Sequence, residues 1–169
     1  MADMTSSTHH QSSDRINPIP ARYRRITPYL VVNGAAKAIE FYGDVFGARE
    51  RSRFPGPGGT ISHAELEIGD SIIVLEDASE MKGTRAPPSD GFPGSPSYHF
   101  AYVEDVDGAI DRALRLGATL KRPAQDQFYG DRDGFIVDPF GHGWVIASHQ
   151  QDVPAGEMTR RMDALMGAG

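Results

Sequence analysis

The sequence predicts an α+β fold of two βαβββ modules, whose mainly antiparallel sheets curve around a cavity and carry helices on the outer face. The first observation is an internal repeat, because residues 29–48 (YLVVNGAAKAIEFYGDVFGA) resemble residues 100–118 (FAYVEDVDGAIDRALRLGA). The second is that each segment reads as a strand, a turn and a helix that ends on Gly-Ala. Ala38 and Ala109 are 71 residues apart, so the repeat pairs equivalent positions in the two modules.

The first module covers about residues 25–77, and its strands are predicted at 25–32, 49–55, 61–69 and 71–76. Residues 61–69 (ISHAELEIG) alternate between apolar and polar side chains. Alternate residues of a strand point to opposite faces. We therefore expect Ala64 and Leu66 on the helix side, and His63 and Glu65 on the concave side.

The second module covers about residues 97–150, after a stretch at 77–96 that is rich in Pro, Gly and Ser and reads as a linker. Residues 1–22 are predicted to be a disordered lead-in, and residues 23–150 to form the domain. The histidines of this lead-in, His9 and His10, are expected to be solvated. Residues 151–169 are expected to carry a C-terminal helix with one apolar side, formed by Met158, Met162, Leu165 and Met166.

Composition restricts the class of function. The 169 residues suit about one domain. The net charge of −6 argues against a nucleic-acid partner and is compatible with a cationic ligand. The chain has no cysteine, no apolar run long enough to span a membrane and no apolar core of a signal peptide near its start. We therefore expect a cytoplasmic protein with no membrane partner.

Four motifs resemble a known superfamily. They are FYGDVFGA (41–48), ISHAELEIGDS (61–71), VEDVDGAIDRALRLGA (103–118) and DQFYGDRDGFIVDPFGHGW (126–144). Together with the paired βαβββ pattern they resemble the vicinal-oxygen-chelate superfamily of glyoxalases, extradiol dioxygenases and bleomycin-resistance proteins. The last motif is similar to the branch called 3-demethylubiquinone methyltransferase-like. The resemblance implies a small-molecule ligand and a homodimer, in which the C-terminal helix is a candidate contact.

The resemblance also implies where a metal would be held. The usual ligand positions correspond to Thr27 and Val74 in the first module and, 71 residues later, to Tyr98 and Val145. Divalent metals need His, carboxylate or thiolate ligands, and valine has no donor atom. We therefore expect neither the usual metal nor another cofactor.

Strand alternation predicts an aromatic concave face. Counting from Leu30 and Val103 as helix-side residues places four aromatic residues on that face: Tyr29, Tyr98, Phe100 and Tyr102. Aromatic walls are typical of small-molecule pockets, although the same rings could simply fill a core. In the loop at 127–132, Tyr129 and Arg132 could bind ligand oxygens, or Arg132 could pair locally with Asp131.

Two functions stay open on this sequence. The first is small-molecule binding of the glyoxalase and bleomycin-resistance type without the usual metal, as in sequestration or resistance. The alternative is a lyase or isomerase of the same superfamily that uses His63 and Glu65 as a base or as non-standard metal ligands. A filled concave face would instead favour a plain interaction scaffold.

Overall fold

The computed structural model describes residues 16–88 and 97–167. The first module contains β1 (Tyr29–Val32), α1 (Ala35–Phe46), β2 (Arg49–Pro55), β3 (Ile61–Ile68) and β4 (Ser71–Asp77). The second contains β5 (His99–Tyr102), α2 (Val106–Arg115), β6 (Thr119–Asp126), β7 (Asp131–Val137) and β8 (Gly143–His149). A last helix, α3 (Ala155–Gly167), follows. His9 and His10 lie outside the described residues.

The two modules share one sheet topology. Sheet 1 has the strand order β1-β4-β3-β2, and sheet 2 has the order β5-β8-β7-β6. In each sheet the first pair is parallel and the other two pairs are antiparallel. Tyr29 is paired with Val74 and Phe100 with Val145, so the register repeats with the 71-residue offset. The predicted α+β fold of two βαβββ modules is confirmed.

The helices begin where side-chain carboxylates accept their free N–H groups. Asp77, at the end of β4, accepts hydrogen bonds of 2.8 Å from the backbone N–H groups of Gly34 and Ala35. Asp105 accepts from the N–H of Gly108 at 3.0 Å at the start of α2. Such caps replace hydrogen bonds that the first helical turn cannot make internally.

The repeated Gly-Ala pairs end the helices. Gly47 and Gly117 have φ of 66° and 95°, which only glycine adopts readily. The N–H of Ala48 then donates to the carbonyl of Tyr42, whereas the N–H of Ala118 donates to that of Ala113. The first bond spans one residue more than the second, which accounts for the one-residue slip between the two copies.

Both helices and the inner faces of both sheets form one hydrophobic core. The ring of Tyr42 on α1 lies 5.4 Å from that of Trp144 on β8. Asp138, 1% exposed, accepts hydrogen bonds from the Tyr42 hydroxyl at 2.7 Å and from the Trp144 indole at 2.9 Å. The DPFG turn therefore joins the two modules, and the opposite face of each sheet points away from the shared core.

The first strand is shorter than predicted. β1 begins at Tyr29 instead of at residue 25, because Pro28 has no N–H to donate. Its carbonyl still accepts from the N–H of Val74 at 2.9 Å. At the other end of the chain, α3 leaves Met162, Leu165 and Met166 exposed. No helix of residues 16–88 and 97–167 combines the length and apolarity that crossing a membrane requires.

Candidate ligand-binding site

The outward face of sheet 2 carries a row of exposed aromatic side chains on β5. Tyr98, Phe100 and Tyr102 are 58%, 48% and 62% exposed. The rings of Phe100 and Tyr102 are 5.2 Å apart, and the ring of Tyr98 is 5.7 Å from that of Phe135 on β7. These rings pack beside one another and remain open to solvent, so they do not fill a core.

A cavity of about 1350 Å³ lies beside this row, and we call it the β5 cavity. Its far wall comes from the first module, namely the segment 24–28, the end of α1 and the tight β3–β4 turn at Gly69 and Asp70. Tyr98, Phe100, Tyr102 and His149 are among its lining residues. Apolar rings with a few polar groups are the usual lining of small-molecule sites.

Two buried carboxylates on β7 support the aromatic row. Asp131 accepts hydrogen bonds from the Tyr102 hydroxyl at 2.8 Å and from Nδ1 of His149 at 2.7 Å. Hydrogen bonds to Asp131 and then to Asp152 raise the pKa of His149, because both carboxylates favour the protonated imidazole. The bond from Tyr102 fixes the direction of its ring beside the β5 cavity.

The second carboxylate, Asp133, is 1% exposed and closely surrounded by donors. The Arg122 guanidinium lies 2.5 Å from its Oδ1, the Gln127 amide donates at 3.0 Å, and the Tyr129 hydroxyl donates to its Oδ2. Burial and this hydrogen bond raise the pKa of Tyr129. Tyr129 is therefore held by the protein itself, on the same face as the aromatic row.

The outward face of sheet 1 holds a charged cluster. Nε2 of His63 lies 3.5 Å from Oε1 of Glu65, which also accepts from the Tyr23 hydroxyl at 2.5 Å. The Arg51 guanidinium is 3.4 Å from the same carboxylate. The hydrogen bond from Tyr23, followed by those of His63 and Arg51, lowers the pKa of Glu65 against the effect of burial. Glu65 is therefore a stable anion beside a histidine.

A further carboxylate of sheet 1, Glu76 on β4, is 3% exposed. Its Oε2 accepts from the Tyr29 hydroxyl at 3.0 Å and from the Lys82 ammonium at 2.5 Å. Burial raises the pKa of Glu76, but hydrogen bonds from Lys82, Tyr29 and Thr84 outweigh it, so the net shift is downward. Burial and the bond to Glu76 raise the pKa of Tyr29 to about 12.

Carboxylates hold nearly every tyrosine of this chain. Of the six tyrosines, Tyr23, Tyr29, Tyr42, Tyr102 and Tyr129 each donate a hydroxyl to an Asp or Glu. Within the described residues, Tyr98 alone has no such partner. Its phenol is therefore the hydroxyl of the aromatic row that is available to a ligand.

The structure divides the predicted site residues into three groups. Tyr98, Phe100 and Tyr102 line the β5 cavity, and Tyr129 lies near them above Asp133. Tyr29, His63 and Glu65 lie together on sheet 1, where the rings of Tyr29 and His63 are 6.2 Å apart. Arg132 joins neither group, because its guanidinium binds Asp107 on α2 at 2.8 Å and Asp126 at 3.0 Å.

The residues at the superfamily's metal positions do not suit a metal. Val74 and Val145 are paired in register with Tyr29 and Phe100, and their side chains have no donor atom. Across residues 16–88 and 97–167, no group of three or more His, Cys, Asp or Glu residues is placed to hold a metal ion. Thr27 and Tyr98 supply only hydroxyl oxygens.

The comparison with protein families agrees with this fold. The model of the Glyoxalase/Bleomycin resistance protein/Dioxygenase superfamily matches residues 22–146. The chain belongs to this superfamily. It is 38% identical over 159 residues to the uncharacterized protein Rv0887c of Mycobacterium tuberculosis, which covers 92% of this chain and 91% of that protein.

Solved structures of other superfamily members share the fold. A glyoxalase family protein of Bacillus cereus matches with a TM-score of 0.63 and 19% identity, covering 76% of this chain and 95% of that chain. The PhnB protein of Bacillus cereus matches with a TM-score of 0.54 and 18% identity, covering 74% and 99%. At these identities the similarity establishes the fold alone.

Sequence reasoning missed several residues that shape this superfamily site. Asp131 and Asp133 share the strand parity of Phe135, so alternation along DRDGF could have placed them on the outward face. Lys82 could not have been found in this way, because it lies in the irregular stretch after β4 and reaches Glu76 only through the path of that loop.

Proposed function

We propose that this protein binds a small organic molecule in the β5 cavity without the metal usual in its superfamily, and that sequestration of the ligand is its role. The observation that carries the proposal is the exposed row Tyr98, Phe100 and Tyr102 beside a cavity of about 1350 Å³. A planar, partly aromatic ligand would stack on these rings. The free hydroxyl of Tyr98 supplies a polar contact.

We also propose a homodimer whose second copy narrows this site. Closed ligand pockets usually measure about 300–1000 Å³, and the β5 cavity is larger and open. Each sheet turns its ligand-facing side away from the core of its own chain, so a second copy could place the charged face of its sheet 1 against the aromatic row. Sedimentation velocity should show a dimer, and a strictly monomeric protein would contradict this part of the proposal. The cytoplasmic location stays a prediction.

A binding test can use the neutral fluorescent dye Nile red as the probe. We expect Phe100→Ala to weaken dye binding about tenfold, which corresponds to about 1.4 kcal/mol for the loss of one stacking ring. Leu116→Ala is the matched control, because Leu116 is 43% exposed but lies at the end of α2. Equal affinities for both variants and the unmodified protein would exclude the β5 cavity as the binding site.

A second candidate function is a lyase or isomerase reaction, which the contact between His63 and Glu65 favours. Glu65 could orient the imidazole, and His63, 31% exposed, could then take a proton from a substrate. Against this, Tyr23 and Arg51 already bind the same carboxylate. Mass spectrometry of a co-purified ligand over time would show whether it is converted, and whether conversion stops in His63→Ala.

A further inference from the structure

Sheet 1 holds an ammonium group of its own chain over a buried carboxylate. The Lys82 Nζ lies 2.5 Å from Oε2 of Glu76 and 2.9 Å from the carbonyl oxygen of Ser62. We call the Glu76 carboxylate and the Ser62 carbonyl the Glu76 site. Glu76 is 3% exposed, while the Lys82 side chain above it is 42% exposed. The carboxylate is therefore covered by a group that itself faces solvent.

The acceptors of this site match a primary ammonium group. Such a group has three N–H donors, and Lys82 uses two of them on Glu76 and Ser62. The Tyr29 hydroxyl donates to the same Oε2 of Glu76 at 3.0 Å, which fixes the carboxylate in place. A quaternary ammonium ion has no N–H and could not make these bonds.

The lysine head can leave without moving the backbone. Lys82 lies in a turn closed by two backbone hydrogen bonds, of 3.1 and 2.9 Å, between Ser79 and Thr84. The N–H of Lys82 donates to the Ser79 hydroxyl at 3.3 Å. Because the turn is held by these bonds, rotation about the flexible four-carbon stem is enough to uncover Glu76.

We propose that the Glu76 site binds the primary ammonium group of a small ligand, and that Lys82 occupies it when no ligand is bound. This binding site goes beyond the proposed function, because it lies on sheet 1 and outside the β5 cavity. The net charge of −6 favours the approach of a cation. Lys82 then acts as an internal competitor, whose effective concentration a free amine must exceed.

Chemical rescue tests this proposal. Lys82→Ala removes the three methylene groups and the ammonium beyond Cβ, which is the structure of n-propylammonium. We expect the variant to melt about 3 °C lower than the unmodified protein, and n-propylammonium chloride above the millimolar range to restore most of that loss. Tetramethylammonium chloride at the same concentration should restore none of it. The unmodified protein should respond much less, because Lys82 already fills the site.

Two further variants separate a binding site from a structural ion pair. Lys82→Ala combined with Glu76→Gln should lose the rescue, while Lys121→Ala, at an exposed lysine of β6, should show neither a loss nor a rescue. If n-propylammonium fails to stabilise Lys82→Ala, or stabilises the double variant equally, the proposal is wrong and Lys82 only anchors the turn. Should Lys82→Ala not fold, Lys82→Met with ammonium chloride offers the same test, because methionine keeps the stem and leaves the head position open.

Discussion

The two sheets share strand order and register, yet their outward faces carry different chemistry. Phe100 and Tyr102 of β5 correspond to Tyr29 and Val31 of β1 at the 71-residue offset. The aromatic row of sheet 2 thus has one aromatic counterpart in sheet 1, and that ring donates its hydroxyl to Glu76. Sheet 1 presents charged and hydrogen-bonding groups, whereas sheet 2 presents rings. The duplication determines where these positions lie but not which side chains they carry.

The turns between the last two strands differ as well. In the second module residues 138–142 join β7 to β8, and their Phe140 ring packs 5.9 Å from Phe41 of the first module. His142 also reaches across, with Nε2 3.0 Å from the carbonyl oxygen of Val31. In the first module only Gly69 and Asp70 join β3 to β4, and the β5 cavity remains between this turn and β5. A shorter turn thus leaves room for a ligand.

Equivalent positions of the two outward faces should differ most in their effect on stability. Asp133 is opposite Ala147 in sheet 2, and extending the register of Glu65 and Val74 places His63 opposite Glu76 in sheet 1. Asp133→Ala would leave Arg122 and Tyr129 without their buried acceptor. We expect it to lower the free energy of unfolding by about 3 kcal/mol, against about 0.5 kcal/mol or less for His63→Ala, both measured by urea denaturation.

Asp126→Ala is the control for this comparison. Asp126 also binds an arginine of the second module, but its side chain is fully exposed, so the change should cost little. If His63→Ala proved as destabilising as Asp133→Ala, the face of sheet 1 would be structural and His63 could not be assigned to ligand binding or catalysis.

The repeat made the fold predictable from sequence. Strand alternation and the 71-residue offset placed Tyr29 beside Val74 and Phe100 beside Val145 before any coordinates, and the register of both parallel pairs agrees. Local periodicity suffices here, because each module is built from short hairpins and one crossover helix. The limits of β1 were less predictable, since a proline and not a change in hydrophobicity ends its pairing.

The site was predictable only in part. Parity alone placed Tyr98, Phe100 and Tyr102 on an outward face, because side-chain direction along a strand is a local property. The partner of a charged group is not local. Arg132 binds Asp107, 25 residues away on α2, and Lys82 covers Glu76 through the course of a loop. Such contacts depend on tertiary packing that no periodic pattern contains.

The dependence of stability on pH should separate the two sheets, with the larger effect in sheet 1. The pKa of Glu65 lies below its ordinary value of 4.5, chiefly because Tyr23 donates to it. A lowered carboxyl pKa adds stability that is present above 4.5 and is lost as pH falls through the folded-state pKa. The melting temperature of the unmodified protein should therefore fall in this acidic range. Glu65→Gln should reduce that fall, and an unchanged profile would exclude Glu65 as its source.

Sheet 2 should show the smaller effect, at higher pH. Asp131 and then Asp152 raise the pKa of His149 above its ordinary value of 6.5. A raised imidazole pKa adds stability that is complete below 6.5 and is lost as pH rises through the folded-state pKa. His149 is 51% exposed, so solvent weakens the pairing, and we expect only a slight fall in melting temperature on the alkaline side. His149→Gln should remove this slope and leave the acidic fall intact. If the alkaline slope persists in that variant, another group of the molecule must be titrating, and the difference between the sheets would not extend to their charged groups.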